Sequence, residues 1–142
     1  MALAAGRSRF PNPKDRTPAI LVVEDELLIR FVISDYLQHC GFRVHVAGSA
    51  AEAIEILESA DHPIDLVFSD VAMPGELDGF GLAQWVRDKR PGLPVILTSG
   101  DAKKSAAAKE LCENEPFFAK PYDAEQVVNK IRAAIDRKTR GK

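Results

Sequence analysis

Five short apolar runs recur along the sequence, and a stretch with helical periodicity separates most of them. The runs are Ile20-Leu21-Val22-Val23, Phe42 to Ala47, roughly Asp65 to Asp70, Pro94-Val95-Ile96-Leu97-Thr98 and Pro116-Phe117-Phe118-Ala119-Lys120. Short apolar runs rich in β-branched and aromatic residues read as buried strands. Strict alternation of strands and helices requires crossover connections, which make the sheet parallel and put helices on both faces. Right-handed crossovers leave few arrangements. The expected fold class is α/β, a doubly wound five-stranded parallel sheet of order 2-1-3-4-5 with five helices. Its switch point lies between the first and third strands.

The intervening segments support this order. Ile29, Val32, Ile33, Tyr36, Leu37 and Cys40 repeat at helical spacing, the pattern of a core-facing stripe, and Gly41 suits a helix C-terminus. Ser49 and Glu52 have capping-box spacing ahead of Ala50, Ala53, Ile54 and Leu57. Asp78-Gly79 opens a helix with Leu82, Ala83 and Val86 inward. Asp101 caps an Ala- and Lys-rich helix with a weak stripe of Ala102, Ala106 and Leu111. Asp123 and Gln126 cap a last helix with Val127, Val128, Ile131, Ala134 and Ile135 inward.

The chain's 142 residues suit one domain with a sizeable core. Residues 1–18 are read as a flexible N-terminal tail, 19–138 as the domain and 139–142 as a basic C-terminal tail. The two Cys, Cys40 and Cys112, are too few for a disulfide framework or zinc site, which fits a reducing, cytoplasmic setting. No apolar run approaches the roughly 20 residues that span a bilayer. The total charge is −2. Residues 1–18 carry +3 and residues 137–142 carry +4, so the body between them carries −9. An acidic body of this kind argues against a nucleic-acid binder.

The chemistry gathers where the strands end. Strand one runs into Glu24-Asp25-Glu26 and strand three ends in Asp70. In the expected topology Glu24, Asp25 and Asp70 meet in the crevice at the switch point. Three acids this close repel one another, and a hard divalent cation such as Mg²⁺ would relieve the repulsion. Thr98 and Lys120 end strands four and five and reach the same edge. A nucleophilic carboxylate, a cation, a lysine and a hydroxyl are the parts of a phosphoryl-transfer site. Read singly, each residue has a plainer role. Asp70 would be a turn cap, Lys120 a surface lysine, Thr98 a strand-end residue and Phe117 core packing. Trp85 reads as a partly packed helix residue and Cys112 as an inert thiol. His39, His45 and His62 show no ligand spacing.

At these residues the chain resembles the receiver domains of two-component response regulators, of flavodoxin-like fold. The matching pieces are Ile20 to Glu26, Asp70-Val71-Ala72-Met73-Pro74-Gly75, Asp78-Gly79, Leu97-Thr98-Ser99 and Lys120-Pro121-Tyr122. The resemblance implies that Asp70 accepts a phosphoryl group from a histidine kinase or phosphotransfer protein. It implies that Asp25, Asp70 and the carbonyl of Ala72 hold Mg²⁺, with Glu24 acting through water. Lys120 would pair with the phosphoryl group across a cis Lys120-Pro121 bond. Thr98 would bond a phosphoryl oxygen, and Phe117 stands at the switch aromatic. Output would come through contact of the domain itself with a downstream protein target, without a DNA-binding domain or membrane, as a monomer or weak homodimer.

The chain departs from the family pattern at four places. Glu24 replaces the commoner Asp. The turn Pro74 to Gly79 is one residue longer. Phe117 lacks the hydroxyl of the usual Tyr. Gly100 follows Ser99 as in stand-alone receivers with a Thr-Gly-type loop. Two alternatives stand beside the signalling reading, a phosphohydrolase working through an aspartyl-phosphate and a scaffold independent of phosphorylation. Such hydrolases carry a second acid two residues after the nucleophile, and Ala72 occupies that position. The expectation is therefore no enzyme, apart from self-phosphorylation and slow dephosphorylation. Asp25, Asp70, Thr98 and Lys120 together argue against the scaffold.

Overall fold

Alternate residues of the central strands face opposite ways, and both faces of this sheet are covered. The structure, a computed structural model, describes residues 17–59, 61, 63–100 and 117–140, without the side chains of 117 and 138–140. In chain order the elements are β1 (Ala19–Val23), α1 (Leu27–His39), β2 (Arg43–Ala47), α2 (Ala50–Glu58), β3 (Leu66–Asp70), α3 (Gly79–Lys89), β4 (Val95–Ser99), β5 (Phe117–Ala119) and α4 (Ala124–Arg140). The strands form one sheet of order β2-β1-β3-β4-β5, with every pair parallel. The expected order is the observed one. Four helices fall among the described residues. The expected helix after β4, with Asp101, Ala102, Ala106 and Leu111, lies outside them.

On one face Leu21, Val23, Val67, Val95 and Leu97 pack with Ala50, Ala53 and Leu57 of α2 and Leu82, Ala83 and Val86 of α3. On the other, Ile20, Val22, Leu66, Phe68 and Ile96 meet Ile33 and Leu37 of α1 and Val127, Val128, Ile131 and Ala134 of α4. Burial on both faces explains why β1, β3 and β4 read as unbroken apolar runs. Each large aliphatic side chain fully withdrawn from water here stabilises the fold by roughly 1.5–3 kcal/mol.

The helix ends follow their local chemistry. The N–H of Glu52 donates to Ser49 Oγ (3.1 Å), and Glu52 reaches back to the N–H of Gly48 rather than to Ser49 itself. The N–H of Gly81 donates to Asp78 Oδ1 at 3.0 Å, which caps α3. Asp123 Oδ1 accepts from the N–H of Glu125 at 2.9 Å, at the start of α4. Helix α1 ends where Gly41 turns to φ 97° and the N–H of Phe42 donates to the carbonyl of Leu37. A residue without Cβ takes that left-handed turn without strain.

One expected core stripe is narrower than its spacing implied. Helix α1 buries Ile33 and Leu37, whereas Val32 is 58% and Tyr36 37% exposed. Each precedes a buried residue by one position, about 100° around the helix, so it turns to the side of α1 and away from the sheet. Leu27, Leu28 and Phe31 are also exposed.

Candidate functional site

The sheet register builds the site. Val23 of β1 lies opposite Ser69 of β3, so the next residues, Glu24 and Asp70, are level. Asp70 lies opposite Thr98 of β4, and Ser99 lies opposite Ala119 of β5, immediately before Lys120. Four strand ends thus meet at one edge because four apolar runs stop in register. One carboxylate oxygen from each of Glu24, Asp25 and Asp70 falls within 4.8 Å of the others.

Glu24 and Asp70 are buried, and Asp25 is exposed. Lys120 Nζ donates to Glu24 Oε1 at 3.0 Å and lies 3.4 Å from Asp70 Oδ2. The second Glu24 oxygen, Oε2, accepts from the N–H of Glu26 at 3.2 Å. Ser69 Oγ donates to the carbonyl of Asp70 at 2.9 Å, and the N–H of Val71 donates to the carbonyl of Thr98 at 2.9 Å. The peptide bond between Lys120 and Pro121 is cis.

The family described as "Response regulator receiver domain" matches residues 20–132.

The chain belongs to the response regulator receiver domain family.

The receiver is 35% identical over 120 residues to a "Sensor kinase CckA" of Brucella abortus (strain 2308), covering 83% of this chain and 12% of that protein. It is 32% identical to a "Probable transcriptional regulatory protein TcrX" of Mycobacterium tuberculosis, covering 83% of this chain and 50% of that one. The chain therefore spans half or less of these curated relatives. Among solved structures, a response regulator receiver domain protein from Clostridium thermocellum superposes with a TM-score of 0.77 at 29% identity. That match covers 86% of this chain and 97% of the other. The receiver domain of NtrX from Brucella abortus superposes at 0.73 with 29% identity, covering 82% and 98%.

Receiver domains are signalling modules that bind Mg²⁺ in an acidic pocket and interact with histidine kinases or phosphotransfer proteins. The donor set here fits such an ion. Oxygen ligands suit a hard cation, and the cluster offers carboxylates without a soft ligand.

Burial is the largest influence on both interior acids of this receiver. It raises the Asp70 carboxyl above its ordinary value, with Lys120 and the Ala72 N–H pulling the other way. Burial raises Glu24 likewise, opposed by its hydrogen bond to Lys120. For Lys120 burial works against the charge, but the hydrogen bond to Glu24 and the charge of Asp70 outweigh it, so its pKa rises. The lysine remains an ammonium at neutral pH.

Thr98 is buried beside Asp70. Phe117 opens β5 opposite Leu97, and its side chain lies outside the described residues. The Thr-Gly-type loop is described only as far as Gly100. Trp85 is partly buried against the α2–α3 side of the core, as its helical position implied.

Two features were not singled out in the sequence. Tyr122 packs edge-on against Phe68, centroids 5.7 Å apart. Burial and the charge of Glu24 push its hydroxyl pKa up to about 12. Three of the exposed apolar residues of α1, Leu28, Val32 and Tyr36, border a groove of about 440 Å³ that Lys120, Pro121 and Tyr122 also line. Leu27, Leu28 and Phe31 fall outside the core stripe of α1, and that mismatch was the available signal. No helix among the described residues is long and apolar enough to cross a membrane.

Proposed function

We propose that Asp70 accepts a phosphoryl group from a phosphohistidine of a kinase or phosphotransfer protein, making the chain a switch in two-component signalling. The observation that carries this reading is Lys120 Nζ at 3.4 Å from Asp70 Oδ2, beside the acidic cluster. A carboxylate oxygen of Asp70 attacks phosphorus as the bond to the donor's imidazole nitrogen breaks. Lys120 holds an ammonium beside the charge that builds on the phosphoryl oxygens. Asp25, Asp70 and the carbonyl of Ala72 would hold Mg²⁺, with Glu24 acting through water. That ion supplies charge neutralisation to the transferring group. Thr98, buried one strand away, bonds a phosphoryl oxygen and reports the modified state, and Phe117 is the neighbouring switch aromatic. Ala72 offers no side-chain acid for a hydrolase, so turnover is limited to slow self-dephosphorylation in a cytoplasmic protein.

The groove beside α1 is the entry face for the donor. Lys120 and Pro121 line it, so it opens directly onto the phosphoacceptor edge. An apolar helix of the donor laid along Leu28, Phe31 and Val32 brings a histidine on that helix toward Asp70. Output is a contact of the receiver with a protein target, made by a monomer or weak homodimer.

Incubation with Mg²⁺ and acetyl phosphate tests the acceptor. The expected result is a mass increase of one phosphoryl group, stable in acid, labile in base and absent in Asp70→Asn. An adduct that survives Asp70→Asn, or none with either acetyl phosphate or a cognate donor, overturns the reading.

A further inference from the structure

Three residues, Glu24, Asp25 and Glu26, join β1 to α1. Asp25 is exposed, so packing does not aim its carboxylate, and its direction follows the backbone that carries it. Helix α1 gives that backbone little support at its start. Its N-cap, Glu26, makes no side-chain cap, whereas Ser49 and Asp78 cap α2 and α3.

Arg30 supplies the missing hold. The N–H of Glu24 donates to the carbonyl of Ala47 at 3.0 Å. The pairing of β1 with β2 ends at Ala47, where the chain turns toward α2. The Glu24 carbonyl lies at that end, and a carbonyl withdrawn from water needs a donor. Arg30 Nη1 provides one at 3.3 Å. The N–H of Arg30 donates to the carbonyl of Glu26 at 2.9 Å, which closes the first turn of α1. One residue of α1 thus ties both ends of the connection that carries Asp25.

Gly48 leaves room for the guanidinium. A Cβ at position 48 would lie 2.9 Å from Arg30 Nη1 and 3.4 Å from Glu52 Oε1. Glu52 also accepts the N–H of Gly48. The two side chains flank the same glycine, so Glu52 sets an opposite charge beside Arg30. We propose that Arg30, seated over Gly48, is a positioning residue for the cation site: it fixes the peptide between Glu24 and Asp25, and so keeps the exposed Asp25 carboxylate beside Asp70. This proposal rests on the function given above, because the cation it serves is the one assigned there. The role it gives to Arg30 and Gly48 lies outside the acids and the lysine of that site.

Two effects of Arg30 oppose each other. Its positive charge repels a divalent cation, and its hydrogen bond prepares the site for one. Loss of the charge alone would tighten Mg²⁺ binding, and loss of the hold would weaken it. The sign of the change therefore tells which effect governs.

The test measures Mg²⁺ affinity by calorimetry on the full chain as wild type, Arg30→Met, Gly48→Ala and the double variant, with urea denaturation of the same samples. Gly48→Ala keeps every charge and displaces only the end of a flexible side chain, so its unfolding midpoint should stay near that of the wild type. Each single variant is expected to weaken Mg²⁺ binding about tenfold, the scale for groups that orient a metal ligand. The double variant should lose no more than Arg30→Met does, because both changes break one contact. Unchanged or tighter affinity in either single variant, or losses that add in the double, overturns the proposal. Should Gly48→Ala fail to fold, Arg30→Met decides alone: weaker binding supports the hold, and equal or tighter binding refutes it. Labelling of Asp70 by acetyl phosphate across a Mg²⁺ titration is the second readout. Arg30→Met should need about tenfold more Mg²⁺ to reach half its maximal rate, and that maximum should equal the wild type's. A maximum that stays low refutes a positioning role. Failure of the wild type to label removes the acceptor function instead, and leaves the calorimetry to judge Arg30.

Discussion

Gly79 packs against the carbonyl oxygen of Asp70 so closely that a Cβ at position 79 would overlap it. The N–H of Gly79 also donates to the carbonyl of Val71 at 2.8 Å. The first residue of α3 and the last residue of β3 are thus pressed together, and the missing side chain lets Asp70 keep its place at the sheet edge. The obstruction is backbone, which has no rotamer to yield. Gly79→Ala is therefore expected to lower unfolding free energy by about 1–3 kcal/mol and to weaken Mg²⁺ binding, checked by urea denaturation and calorimetry. Gly81→Ala is the control. There a Cβ meets Leu77 Cγ and Cδ1, atoms of a side chain that can turn aside, so the loss is smaller.

Asp70→Asn is expected to raise stability at neutral pH in chelator. Burial raises the Asp70 carboxyl above 3.8, its ordinary value. A raised folded-state pKa means that the folded chain holds this proton more tightly than the unfolded one. The resulting stabilisation is present below 3.8 and is lost as pH rises through the folded value. At neutral pH the ionised carboxylate is a net cost, which the amide removes while Lys120 keeps Glu24. The melting temperature followed by circular dichroism should exceed that of wild type by roughly 2–4 °C. The gain should shrink as pH falls toward the carboxyl's ordinary value.

The exposed stripe of α1 should separate docking from chemistry. Leu28 and Phe31 are 75% and 68% exposed. Changing both to Ser is expected to alter stability by less than about 0.5 kcal/mol per site. Phosphotransfer from a histidine kinase that labels the wild type should fall by about tenfold or more, near 1.4 kcal/mol. Labelling by acetyl phosphate should be unchanged. Equal loss with both donors would count against α1 as the entry face.

The side-chain caps of α2 and α3 should be worth similar amounts yet differ in reach. Ser49→Ala and Asp78→Ala each remove an acceptor for a helix N-terminal N–H. Each is expected to cost about 1 kcal/mol. Only Asp78 sits in the turn that follows Asp70, so only Asp78→Ala should also reduce Mg²⁺ affinity. Denaturation and calorimetry on the same samples check both expectations.

Much of this fold is legible in the sequence. The runs Ile20 to Val23, Leu66 to Asp70 and Val95 to Ser99 are buried on both faces, and such burial demands unbroken apolar residues. The helices α2, α3 and α4 bury one stripe each, which their spacing declares. Strand ends place Glu24, Asp25, Asp70, Thr98 and Lys120 at one edge, because parallel strands that stop in register bring their next residues together. The sequence by itself therefore determined the sheet order and which strand-end residues meet at one edge.

Tertiary structure decided the rest. The spacing of α1 offered Val32 and Tyr36 to the core equally with Ile33 and Leu37, and only the direction in which α1 meets the sheet chose between them. The partner of Lys120 was equally hidden. Charge pattern put the lysine among three acids, but the reach of Glu24 and the burial of both side chains set it 3.0 Å from Glu24 and 3.4 Å from Asp70. Periodicity records which residues can face a neighbour. Distances of this kind depend on how layers settle against one another, through contacts between residues far apart in the chain.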